Sequence, residues 1–192
     1  MVKGNNLRLF FAIELEPDIK SKLLAVQDRL NDIEGKPVNG ANFHITLSFL
    51  GKVAEKNLEL ILDGLFSSTQ NKALVAPFEV TLKEVIYWSK PNIVAASIED
   101  KKGHLGTLKK HIENALTDIG HFQFDRKSFK PHVTLFRHVE EPPVKSASLD
   151  IPVEISRFSL LESVQNRNGV QYDAIETWPL KHSSIKQQLL GR

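Results

Sequence analysis

The chain has 192 residues, of which 41% are apolar and 25% charged, with a formal net charge of +2. Those proportions suit a globular protein long enough to bury a sizeable core, and the charge is too mild to mark a basic nucleic-acid stripe. It remains compatible with a small anionic substrate or the end of an RNA strand. The absence of cysteine excludes disulfides, thiolate metal sites and a cysteine nucleophile.

The opening segment, MVKGNNLRLFFAIEL, is too short and too interrupted by Arg8 and Glu14 for a signal peptide. No run reaches the ~18 apolar residues of a membrane span, so the expectation is a cytoplasmic protein. Leu7–Leu15 reads as a buried strand. A helix follows over 16–33, with Pro17 in its first turn and Ile19, Leu23, Val26 and Leu30 on one face. Gly35, Pro37 and Gly40 end it, and NFHITLSFL (42–50) resumes strand character. A second amphipathic helix spans 54–69, with Leu58, Leu62, Leu65 and Phe66 inward. Strands over 76–88 and 92–99 are joined across Ser89–Asn92, whose proline and asparagine suit a turn.

A third helix is expected over 101–120, closed by Gly120. FKPHVTLFRHV (129–139) is the next strand. The segments 152–164 and 169–180 read as a hairpin across QNRNG, and the tail KHSSIKQQLLGR (181–192) has no strong pattern. Helices and strands that do not strictly alternate predict an α+β fold rich in antiparallel pairs. No linker or low-complexity segment divides the chain, so residues 1–192 are expected to form one domain, as a monomer.

Each half carries one distinctive motif: His44-Ile45-Thr46-Leu47 and His132-Val133-Thr134-Leu135. Side chains alternate along a strand, so each strand presents an imidazole and a hydroxyl on one face and aliphatic anchors on the other. Two lobes facing across a cleft would bring both polar faces together. The cleft would then hold two imidazoles and two hydroxyls with no carboxylate. One neutral imidazole can take a proton while the other, charged, gives one, and hydroxyls can donate to phosphate oxygens. Hydrolysis of a cyclic phosphodiester needs those functions and no metal. A single strand histidine is more often structural, but a repeated His-x-Thr-Leu at matched spacing is accounted for more simply by one shared site.

Together with the flanks RLFFAIEL, NFHITLSFLGKV, FKPHVTLFR and the closing FSLLESV and GVQYDAIETWPL, the repeat resembles the two-histidine phosphoesterase superfamily. Within it the chain is most similar to RNA 2',3'-cyclic phosphodiesterases, also called 2'-5' RNA ligases. The resemblance implies a bilobal fold with pseudo-twofold symmetry, two antiparallel-rich sheets flanking a central cleft, and helices outside. It implies opening of an RNA 2',3'-cyclic phosphate to a 2'-phosphate without metal or cofactor. His44 would be the proton donor, His132 the proton acceptor, and Thr46 and Thr134 would hold the phosphate. Arg137 matches the family's arginine after the second motif, although strict alternation puts it opposite His132.

Other residues have plainer readings. His104 and His111 share a helix face beside lysines and read as solvated, and His121, His138 and His182 as exposed. Phe10, Phe11, Tyr87, Trp88 and Tyr172 read as core, with one of them able to stack on a base. Arg126, Lys127 and Lys130 are candidate guides for an RNA backbone. The same site could run the reverse reaction, 2'-5' ligation, and a non-catalytic RNA-end binder is the alternative of another class.

Overall fold

The computed structural model describes residues 5–30, 32–71, 75–119, 122, 124, 128–144, 147–167 and 169–181. Among these, all strand pairs are antiparallel and fall into two sheets. The first contains β1 (Asn6–Glu14), β3 (His44–Ala54), β8 (Arg157–Asn166) and β9 (Gly169–Pro179), in the order β3-β1-β8-β9. The second contains β2 (Lys36–Pro37), β4 (Phe78–Trp88), β5 (Ile93–Glu99), β6 (His132–Arg137) and β7 (Ser148–Ile155), in the order β2-β6-β5-β4-β7. The α+β class and the placing of one His-x-Thr strand in each sheet agree with the expectation. The hairpin β8–β9 completes the sheet that β1 and β3 begin, so the first lobe joins early and late parts of the chain.

The buried faces of both sheets feed one apolar cluster that includes Phe11, Ile45, Leu47, Leu82, Val133, Leu135 and Phe158. On the opposite face of the first sheet, Phe10, Ala12 and Leu161 form a small separate cluster capped by Tyr172. That second cluster becomes the bed of the site described below.

Three α-helices are described: α1 (Pro17–Arg29), α2 (Leu58–Asn71) and α3 (His104–Asp118). Proline stands in the first turn of α1, where its missing N–H costs nothing. Gly103, at φ 68°, turns the chain into α3, and the Asp100 carboxylate caps it by accepting from the Leu105 N–H at 2.7 Å. On α2 the buried face is set by Ile61 and Leu65, one turn apart. Phe66 was expected inward, but it lies about 100° around the helix from Leu65 and is 57% exposed.

The expected single strand over 152–164 is two strands in two sheets. Pro152 to Ile155 belong to β7 and pair with β4, whereas Arg157 onward pairs with β1 and β9, with Ser156 at the break. The apolar pattern runs through the change because both strands bury residues in the same core, so periodicity alone could not locate it. Gly120, His121, Arg126, Lys127, His182 and the tail beyond Lys181 lie outside the described residues.

On α1 the third place of the buried face belongs to Gln27, not Val26, which is half-buried. The Gln27 amide donates to Leu135 O at 2.7 Å and Val38 O at 3.0 Å, tying the helix to the second histidine strand. Gln27→Leu keeps the volume but removes both bonds, leaving Leu135 O with only the Val38 N–H. It should lower unfolding free energy by about 1–3 kcal/mol, read from urea midpoints at unchanged slope; wild-type stability would show the amide to be dispensable.

Candidate active site

Each His-x-Thr strand carries a β-bulge directly after its threonine. Ala12 lies opposite Thr46 and Phe11 opposite Ser48, so Leu47 is the extra residue in β3. Ala95 lies opposite Thr134 and Val94 opposite Phe136, so Leu135 is the extra residue in β6. Both strands therefore show the same burial sequence: half-buried His and Thr around a buried aliphatic, then two consecutive buried residues, then an exposed one. A bulge shifts the alternation by one place. Arg137 thereby moves onto the face of His132 and Thr134, which corrects the placement that strict alternation gave it. The matching residue on β3 is Phe49, 69% exposed.

The imidazoles are held alike. His44 Nδ1 lies 2.7 Å from Asn42 O, and His132 Nδ1 lies 2.8 Å from Lys130 O. A carbonyl only accepts, so Nδ1 carries the proton in both rings and Nε2 is the working nitrogen. His44 Nε2 in turn lies 2.9 Å from Thr46 Oγ1, from which the neutral ring accepts. Asn42 is itself pinned, its side-chain amide donating to Val170 O at 2.7 Å on the β8–β9 hairpin.

Aromatic edges fix the ring planes. His44 is met by Tyr172 at a centroid distance of 5.0 Å and by Phe10 at 5.2 Å, while His132 is met by Trp88 at 4.7 Å. Trp88 and Tyr172 are thus not core residues, as expected, but the side supports of the two histidines. Phe11 is core, fully buried, and the Tyr87 hydroxyl donates to Glu140 O at 2.7 Å. Lys130 Nζ lies 5.9 Å from the Trp88 ring.

Burial lowers the His44 pKa to about 4; the Asn42 carbonyl opposes this, and the positive charges of Arg137, His132 and Lys20 reinforce it. His132 is lowered too, first by burial and then by Arg137, against the Lys130 carbonyl. Arg137, on the same face of β6 as His132, thus acts electrostatically on both imidazoles. Both rings are held neutral in a pocket of positive potential, a setting that an anion would relieve.

The remaining histidines stand apart. His138 is exposed as expected. His104 and His111 are half-buried, not solvated: His104 packs 4.8 Å from Phe78, and His111 Nδ1 is a buried nitrogen with no partner among the described residues. Among the described residues no group of three or more His, Asp or Glu side chains could hold a metal ion, and no helix is long and apolar enough to cross a membrane. Sequence reasoning missed Asn42, Lys20 and Phe49. Superposing the two motifs, HITLSF on HVTLFR, would have singled out Phe49 as the counterpart of Arg137.

Residues 13–95 match the family model described as LigT like Phosphoesterase. An RNA 2',3'-cyclic phosphodiesterase of Escherichia coli is 28% identical over 90% of this chain and 96% of its own. One from Methanocaldococcus jannaschii is 27% identical over 90% and 100%. Over these stretches the chain is similar to the LigT-like phosphoesterases. The fold agrees: E. coli LigT complexed with 3'-AMP superposes with a TM-score of 0.81 at 24% identity, over 93% of this chain and 100% of that one. TT0787 of Thermus thermophilus gives 0.76 at 26% identity, over 92% and 100%.

The His44 shift makes stability depend on pH. The unfolded ring titrates near 6.5 and the folded one near 4, so the unfolded chain takes up the proton first as pH falls. Stability should be whole above about 6.5 and decline towards pH 4, by at most on the order of 3 kcal/mol from this residue. His44→Gln should flatten that decline in urea titrations between pH 7 and 4.5. An unchanged slope would mean that His44 titrates as in water.

Proposed function

We propose that this chain is a LigT-like phosphoesterase that hydrolyses an RNA 2',3'-cyclic phosphate end to a 2'-phosphate, with two histidines as acid and base. The observation that carries the reading is the matched pair of imidazoles, each locked through Nδ1 to a main-chain carbonyl so that Nε2 is left for chemistry, with His44 feeling the charge of His132. The substrate class is that of the relatives from E. coli and M. jannaschii. The assignment of acid to His44 and base to His132 rests on the family resemblance.

The phosphodiester anion sits between the Thr46 and Thr134 hydroxyls, with Arg137 against a non-bridging oxygen. Its negative charge raises the two depressed histidine pKa values, so binding brings a proton into the site. Protonation of His44 reverses its bond to Thr46: Nε2–H now donates to Oγ1, and the hydroxyl proton is free for a phosphate oxygen. His132 Nε2 then takes a proton from water as the water oxygen attacks phosphorus. His44 gives its Nε2 proton to the 3'-oxygen as that P–O bond breaks. The product is a 2'-phosphate monoester and a 3'-hydroxyl, with atoms and charge balanced. All parts come from residues of both sheets, so the functional unit is the whole of residues 1–192, acting as a cytoplasmic monomer.

Purified protein should turn over a cyclic-phosphate-ended oligonucleotide in the presence of a chelator. Loss of turnover, restored by one divalent metal, would refute a mechanism of imidazoles and hydroxyls alone.

The two roles separate by leaving group. A sugar alkoxide leaves poorly, so removing the acid should cost about 10²–10⁴ in rate on the RNA substrate and far less on an aryl phosphodiester, whose phenolate needs no proton. His44→Ala should follow that pattern, and His132→Ala should be comparably poor on both. The reverse pattern would exchange the roles; equal losses everywhere would remove the assignment.

A further inference from the structure

A cavity of about 670 Å³ opens beside Thr46 and His132 and runs from the cleft to helix α3. His44, Thr134 and Arg137 do not line it, so it is not the phosphate position itself. It adjoins that position through Thr46 and His132, which leaves it open to the rest of a bound nucleotide. Its volume lies within the range of small-molecule sites. Phe49 from β3 and Trp88 from β4 line it, one from each sheet. The exposure of Phe49 at 69% is otherwise unexplained for a phenylalanine on a folded surface.

At its α3 end stands a charged pair. Lys109 Nζ donates to Glu113 Oε1 at 2.5 Å, and the same oxygen accepts from Ser48 Oγ at 2.7 Å. Each of the two charged side chains is only 18% exposed, and both line the cavity. Among the described residues nothing bonds Glu113 Oε2. The cavity therefore offers, side by side, a carboxylate acceptor and an ammonium donor between aromatic surfaces.

We infer that this cavity is a base pocket selective for guanine, the base being the one attached to the ribose that bears the cyclic phosphate. The inference rests on the phosphodiesterase reading above. Guanine's pairing edge sets one acceptor, O6, beside two donors, N1–H and the 2-amino group. Lysine meets O6, and the carboxylate meets the donors. Adenine and cytosine offer a single donor group on that edge, and uracil a single donor between two acceptors that a carboxylate repels. Phe49 and Trp88 supply stacking surface for any base, so Phe49 sets affinity and Glu113 sets choice.

The test is kcat/KM on the 2',3'-cyclic phosphates of guanosine, inosine, adenosine, cytidine and uridine. Guanosine should be best, with inosine, which lacks only the 2-amino group, about tenfold poorer. Glu113→Gln should bring the guanosine-to-inosine ratio to about one, because the amide oxygen keeps the Lys109 and Ser48 bonds and an NH2 group then stands where Oε2 met the base donors. Phe49→Ala should weaken all five alike, by about fivefold or more. Ratios within one preparation do not depend on the fraction folded, so a destabilised variant still reports. Equal turnover of all five, or an equal loss on all five in Glu113→Gln, would overturn the base pocket and leave the phosphodiesterase standing. No turnover of any would overturn both.

Discussion

The cleft depends on two extra residues. Leu47 and Leu135 each add one place to a strand directly after a His-x-Thr. In a regular strand the residue three beyond the threonine would point into the core. The bulge reverses that, and a guanidinium on one wall and a phenyl ring on the other face the cleft instead. Burying Arg137 in the apolar core would cost several kcal/mol, so the bulge and the arginine require each other. The bulge has its own support: Leu135 O accepts from both the Val38 N–H and the Gln27 amide, so helix α1 stabilises the irregular carbonyl that a plain ladder would leave poorly paired.

The same arrangement sets the electrostatics. Each histidine is desolvated by its aromatic neighbours and oriented by a carbonyl two residues earlier, and both are depressed by Arg137. Desolvation and the positive neighbours act against the imidazolium, while the carbonyl acts for it. The balance leaves rings that are neutral when the cleft is empty and become better bases when an anion occupies it. On the proposed mechanism, substrate charge is what completes the acid, and the donor is protonated chiefly when a phosphate occupies the cleft. Asn42 extends this control to the far hairpin, because its bond to Val170 fixes the carbonyl that orients His44.

Much of this was legible in the sequence because alternation is a strong signal. Ile45 and Val133 are fully buried where the alternation put them, and His44, Thr46, His132 and Thr134 share the opposite faces. The α+β class followed from the order of elements. What could not be read was whatever depends on pairing partners: the bulges exist only relative to β1 and β5, so no single strand announces them. The change of sheet at Ser156 was hidden for the same reason, since β7 and β8 bury apolar residues in one core. Gln27 escaped because a polar residue on a helix reads as solvated until the carbonyls it serves are seen. Trp88 and Tyr172 read as core because large aromatics usually are, whereas here each lends an edge to a histidine.

Pseudo-symmetry is useful here as far as it fails. The two strands agree through five positions in fold and burial, histidine, aliphatic, threonine, leucine and a buried residue, and then diverge at the sixth into Phe49 and Arg137. Two identical walls would hold a phosphate without distinguishing its ends. With charge on one wall and an extra aromatic on the other, the proposed cleft acquires a direction: the anionic centre is drawn towards Arg137, and flat apolar surface lies towards Phe49 and Trp88. A substrate that is anionic at one end and aromatic at the other can then bind in one orientation. Orientation is what a two-histidine site needs, because the rings are otherwise interchangeable. Which one meets the water and which the leaving oxygen is decided by how the nucleotide lies between them, so the divergence at one position after the bulge turns a symmetric pair into an acid and a base.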